Sequence, residues 1–151
     1  MASDSIQTTL APAPVGAYPH ARRVGDLLFL SGIGPRSAAD DAIPGNRVDA
    51  AGTLVGYDIT AQARAVFANV RAVLEASGAR WSDLVDVTVY LTDMAADFKA
   101  YNAVWAEHFP DPAQAPCRTT LGISALPTPI AIELKCVASL GRDRNDPTPA
   151  P

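Results

Sequence analysis

Arg118 and Glu133 are the two residues of this 151-residue chain whose types and setting best suit chemistry on a small acid. Both lie in "APCRTTLGISALPTPIAIELK", residues 115–135. Side chains alternate between the faces of a strand. Cys117, Thr119, Leu121 and Ile123 therefore share one face, and Arg118, Thr120, Gly122 and Ser124 the other. The second set leaves a guanidinium among small residues, and a strand glycine often marks the close approach of another group. Arginine grips a carboxylate through two parallel hydrogen bonds. On the next run Ile130, Ile132 and Leu134 form the apolar face, while Glu133 and Lys135 point oppositely. A glutamate next to a held anion can orient or deprotonate a water. On alternation alone, a solvated or acid-paired arginine and a solvated Glu133–Lys135 pair are the commoner outcomes.

Other residues carry two readings each. Asn102 shares a helical face with Phe98, Trp105 and Phe109, so its amide needs a hydrogen-bonding duty: capping a loop or touching a ligand. Tyr18 and His20 flank Pro19 and have no visible Ser or Cys nucleophile as partner. Arg22, Arg23 and Arg36 read first as surface charges. No phosphate loop, dinucleotide fingerprint, HExxH or GxSxG is present. Cys117 and Cys136 are too few and badly placed to form a zinc site with His20 and His108.

The elements that must position these residues follow from periodicity. "ARRVGDLLFLSG" reads as a hairpin turning at Gly25-Asp26. Residues 33–57 are loop-rich. An apolar stripe predicts a helix over 59–77, capped by Asp58 or Thr60 and ended by Gly78. "LVDVTVYL", residues 84–91, is a β-branched strand. A second helix is predicted from about 98 to 109 with Asp97 as cap, then strands near 117–124 and 130–139. The expected fold is a single α+β domain over 14–140, a mixed sheet with two helices on one face. Residues 1–13 and 141–151 read as flexible ends. The uncovered sheet face calls for oligomerisation. A net charge of −4 disfavours nucleic acid or an anionic membrane as partner. No apolar run approaches a membrane span and no leader pattern is visible, so the expected location is cytoplasmic.

"GAYPHA", "LLFLSGIGP", the long segment from "ITAQARAVFANV" to "YLTDMAADF", "YNAVWAEHF" and "APCRTTLGISALPTPIAIELKCVA" together resemble the YjgF/RidA family over about 14–140. The resemblance implies a chorismate-mutase-like fold and a homotrimer with a pocket in each cleft between subunits. It implies a cofactor-independent, metal-free deaminase that hydrolyses an enamine or imine bearing a carboxylate. Carried over, Arg118 matches the carboxylate-binding arginine and Glu133 the glutamate near the attacking water. Tyr18, Ser31 and Gly32 match pocket residues, Asn102 the helix asparagine at the cleft, and Thr120 stands where relatives often have cysteine. "YPHARRVGDLLFLSG", "VDAAGTLVGYDITAQARAV" and "CRTT" are most similar to the 2-aminomuconate deaminase branch. That substrate has two carboxylates, and Arg36 and His20, with Arg22 behind them, are the candidates for the second. The alternatives are a general 2-aminoacrylate-type deaminase and a non-catalytic ligand-binding trimer.

Overall fold

The stripe on residues 59–77 forms α1 (Ile59–Ala76), which buries Ala63, Val66, Phe67, Val70, Val73 and Leu74. Asp58 caps it, accepting from the amides of Thr60 at 2.9 Å and Ala61 at 3.2 Å. Gly78 follows with φ 74°, a backbone that glycine adopts without strain. The computed structural model describes residues 4–141. The second helix, α2 (Met94–His108), starts a turn earlier than expected. Asp93 caps it, accepting from Ala96 N at 3.0 Å. Asp97 is instead buried inside the first turn, where it accepts from the Tyr57 hydroxyl at 2.8 Å. Burial pushes its carboxyl above the usual range, an effect the Tyr57 bond moderates.

Among the described residues there are eight strands: β1 (Ser5–Ile6), β2 (Ala21–Val24), β3 (Leu27–Leu30), β4 (Arg47–Val48), β5 (Leu54–Gly56), β6 (Leu84–Leu91), β7 (Cys117–Gly122) and β8 (Ile132–Ser139). Six form one sheet in the order β1-β2-β3-β8-β6-β7, and β4-β5 form a small hairpin within the loop-rich segment. Every pairing in the large sheet is antiparallel except β6 with β7. Those two are joined through α2, because parallel neighbours need a crossover. Both helices pack on one face of the sheet, α1 against β8 and α2 against β6. Leu28, Leu30, Val87, Val89, Leu134 and Cys136 close the core from beneath.

The opposite sheet face stays bare. β3 alternates: Leu28 and Leu30 are buried, while Leu27 and Phe29 stand exposed on the other side, as does Leu121 of β7. Residues 4–13, expected to be loose, are tied down. Ser5–Ile6 pairs with Ala21–Arg22, and Ala11 is buried against the core. The tail beyond Gly141 lies outside the described residues. Among the described residues no helix is long and apolar enough to cross a membrane.

Candidate active site

Register fixes where Arg118 points. On β6, Val87 pairs with Arg118 of β7 on one side and Cys136 of β8 on the other. Paired residues share a face, and Val87 and Cys136 are buried under the helices. Arg118 therefore lies on the helix face at the sheet edge, half-buried beneath α2. Asn102 of α2 accepts from Arg118 Nη1 at 2.8 Å. The guanidinium carbon sits 4.8 Å from the Trp105 ring centre, 5.7 Å from Tyr101 and 6.0 Å from Phe98. Asn102 and three aromatics at helical spacing thus hold the fork in place.

Close by, the hydroxyls of Tyr101 and Thr120 are buried with no partner at hydrogen-bonding geometry. They lie near each other and near Arg118, whose charge partly offsets the burial that pushes the Tyr101 phenol up to about 12. Buried polar groups are rarely left unpaired, and here the two hydroxyls and the guanidinium are one another's nearest polar neighbours. Gly122 marks no close approach of another group, since a Cβ there would meet Met94 at 3.7 Å, an ordinary contact.

A second cluster surrounds a cavity of about 370 Å³ lined by Tyr18, Ser31, Gly32, Arg36, Glu133 and Lys135 together with apolar residues. An antiparallel bridge between Ile33 and Leu134 lays the segment after β3 alongside β8. That places Gly32 beside Glu133, where any Cβ would collide with the carboxyl, its Cδ lying 2.9 Å away. Ser31 is oriented by donating to the Pro19 carbonyl at 2.6 Å. Buried Gln62 of α1 ties down the segment that gives Thr128 and Ile130 to the lining, accepting from Ala131 N at 2.8 Å and donating to Asn46 at 2.7 Å. Asn46 in turn donates to the Pro129 carbonyl at 2.9 Å.

Glu133 has no hydrogen-bond or ion-pair partner among the described residues, and half-burial alone pushes its carboxyl above the ordinary range. Two consequences share one sign. The basic form exists only above the raised value, so a reaction using it loses rate as pH falls through that value. The fold also gains a proton affinity at Glu133, so this group's stabilising contribution is present at low pH and lost as pH rises through the folded value. At neutral pH the ionised carboxylate opposes folding. Glu133→Gln is therefore expected to abolish the acid limb of the rate profile and most of the activity while raising the thermal midpoint. Stopped assays from pH 4 to 8 and calorimetric melting check both; a lowered midpoint would contradict the assignment.

The two clusters do not meet within one chain. Tyr90 of β6 pairs with Glu133, and Thr88 with Lys135, so both project from the bare face, opposite Arg118. Of the residues singled out in the sequence, Arg118, Asn102 and Thr120 form one half. Tyr18, Ser31, Gly32, Glu133 and Arg36 form the other. Arg36 is largely committed: Nη1 donates to Asp41 at 2.6 Å and Nη2 to the Ala13 carbonyl at 2.5 Å. His20 borders the cavity, with both ring nitrogens already engaged by the N-terminal arm. It is buried, Nε2 donates to the Pro12 carbonyl at 2.9 Å, and Nδ1 accepts from Thr8 N at 3.3 Å. Both ring nitrogens clamp the N-terminal arm. Arg22 lies on β2, outside the cavity lining. Sequence reasoning missed Lys135 as a cavity residue, though period-two alternation already put it on the side of Glu133.

The family model described as endoribonuclease L-PSP matches residues 8–140. Reactive Intermediate Deaminase A, chloroplastic, of Arabidopsis thaliana is 35% identical over 135 residues, covering 89% of this chain and 65% of that protein, so this chain spans just under two thirds of it. The 2-iminobutanoate/2-iminopropanoate deaminase of Dermatophagoides farinae is 35% identical over 133 residues, 87% of this chain and 92% of that one. Among solved structures, the YjgF gene product from E. coli superposes with TM-score 0.76 at 30% identity, covering 91% of this chain and 98% of the other. With the matched residues running from the N-terminal arm to the end of β8, the chain belongs to the YjgF/RidA family.

Proposed function

We propose that this protein is a cofactor-independent deaminase that hydrolyses an enamine or imine carboxylate to a keto acid and ammonia, and that 2-aminomuconate is its substrate. The observation that carries the reading is Glu133: a half-buried carboxyl without a partner, pressed against Gly32 and facing a cavity. Such a group is poised to hold and deprotonate water. The names of the two deaminase relatives support the reaction class.

Arg118 grips the substrate carboxylate, with Asn102 fixing the guanidinium. The enamine takes a proton at carbon and becomes an imine. Water, deprotonated by Glu133, attacks the imine carbon. Glu133 returns that proton to the nitrogen to give the carbinolamine, whose hydroxyl proton then passes through Glu133 to the nitrogen as the C–N bond breaks, leaving the ketone and ammonia. Tyr18 and Ser31 shape the pocket. Because Arg118 and Glu133 leave opposite sheet faces, this chemistry needs two chains. A homotrimer with its sites in the clefts, working in the cytoplasm, joins the halves and covers Leu27, Phe29 and Leu121. The net charge of −4 sits badly with RNA as substrate, whatever the family description names.

The test is ammonia release from enzymatically generated 2-aminomuconate and 2-aminoacrylate. Acceleration of both, with higher kcat/KM for aminomuconate, is expected. No acceleration of either rejects the reaction, and preference for aminoacrylate rejects the substrate.

A further inference from the structure

The cations around the Glu133 cavity differ in what they have left to offer. Arg36 already faces Asp41 across a 2.6 Å ion pair and is 17% exposed at its side chain. His20 has both nitrogens engaged. Lys135 is different. Its ammonium donates to the Leu30 carbonyl, which fixes its position beside Ser31. An ammonium carries three N–H groups, and among the described residues no carboxylate pairs with this one. Its remaining donors sit in the lining of the cavity, on the same face as Glu133.

We propose that Lys135 binds a second carboxylate of the substrate and makes this cavity selective for dicarboxylates over monocarboxylates. The proposal rests on the deaminase reading, in which Arg118 from another chain takes the first carboxylate. Glu133 and Lys135 are two residues apart on β8, a rise of about 6.5 Å. That spacing suits an acid whose far carboxylate lies about four carbon–carbon bonds beyond the carbon attacked at Glu133. Pockets of roughly 300 Å³ and above enclose ligands well beyond three carbons, and the cavity here, about 370 Å³ before any neighbouring chain adds a wall, is of that size. Lys135 is a specificity-determining residue on this view, and the reacting atoms stay with Glu133.

The test uses two acids without a hydrolysable nitrogen: muconate, with two carboxylates, and crotonate, with one. Both are titrated calorimetrically into the full chain at fixed ionic strength. Muconate is expected to bind on the order of tenfold more tightly than crotonate, as one charge-assisted contact provides. Lys135→Met should bring the ratio of affinities to about one, and Lys135→Arg should keep most of it, which a merely structural lysine would not require. Absence of a preference in the wild-type protein, or its survival in Lys135→Met, overturns the proposal. If the Met variant does not fold, the wild-type ratio and the Arg variant decide. Neither probe is deaminated, so the ratio is read independently of turnover. A preserved ratio without ammonia release rejects only the reaction, and ammonia release with a ratio of one rejects only the subsite.

Discussion

Arg118→Ala is expected to lower kcat/KM for an imine carboxylate by about 10²-fold or more, the scale on which loss of a positioning or charge-stabilising contact acts. The guanidinium is half-buried, oriented by Asn102 at 2.8 Å and laid over Trp105 at 4.8 Å, so little freedom is lost when it closes on a ligand. Without it, on the proposed mechanism, the substrate acid would have no fixed partner on that side, and the imine carbon would drift from the Glu133 water. Arg118→Lys separates charge from shape: it keeps the positive charge, loses the fork and the stacking, and should fall between Ala and wild type. Asn102→Leu should act in the same direction more weakly, because it releases the fork and removes no charge. Circular dichroism establishes that each variant is folded. A folded Arg118→Ala protein within about threefold of wild type would sink the anchoring role, since a contact of this class is worth more than that.

Long periodic elements were legible in the sequence. The seven apolar positions of α1 and the eight residues of β6 bury one face each, so their spacing records their packing. The start of α2 was misread because Asp93 and Asp97 are equally good caps by type. Only the Tyr57 hydroxyl, forty residues away in sequence, decides which one is inside. The N-terminal arm looked loose for a related reason. Its order comes from His20, whose two ring nitrogens hold the backbone at Thr8 and Pro12, and no local pattern announces a contact of that kind. Alternation correctly separated Arg118 from Cys117 and Glu133 from Ile132. It did not tell which set of β7 faces the helices. That strand is reversed from the usual order: polar Arg118 and Thr120 lie under α2, while Cys117 and Leu121 are exposed. An edge strand beneath a helix bearing Phe98, Tyr101 and Trp105 can carry an arginine inward, because the aromatics accept its charge face-on.

That reversal has a consequence that kinetics can read. Arg118 and Glu133 leave opposite faces of one sheet, so on the proposed mechanism a complete site would take its arginine from one chain and its glutamate from another. Arg118→Ala and Glu133→Gln should each be nearly inactive alone. Co-expressed in equal amounts and purified without selecting mixed rings, the pair should regain activity, and pull-down of a separate sample through two different tags confirms that mixed rings form. In a symmetric ring with random mixing, about one cleft in four receives an intact Arg118 from one neighbour and an intact Glu133 from the other, so roughly a quarter of wild-type turnover per site is expected. Against single variants reduced about a hundredfold or more, that recovery is a large signal. The double variant Arg118→Ala with Glu133→Gln, mixed with wild type, is the control, because random clefts then give about the same quarter without any rescue between two dead chains. Mixed assemblies that form and stay inactive would mean that the two residues do not serve one cleft. Recovery near a quarter is not available to any mechanism confined to a single chain, in which each polypeptide carries one broken half.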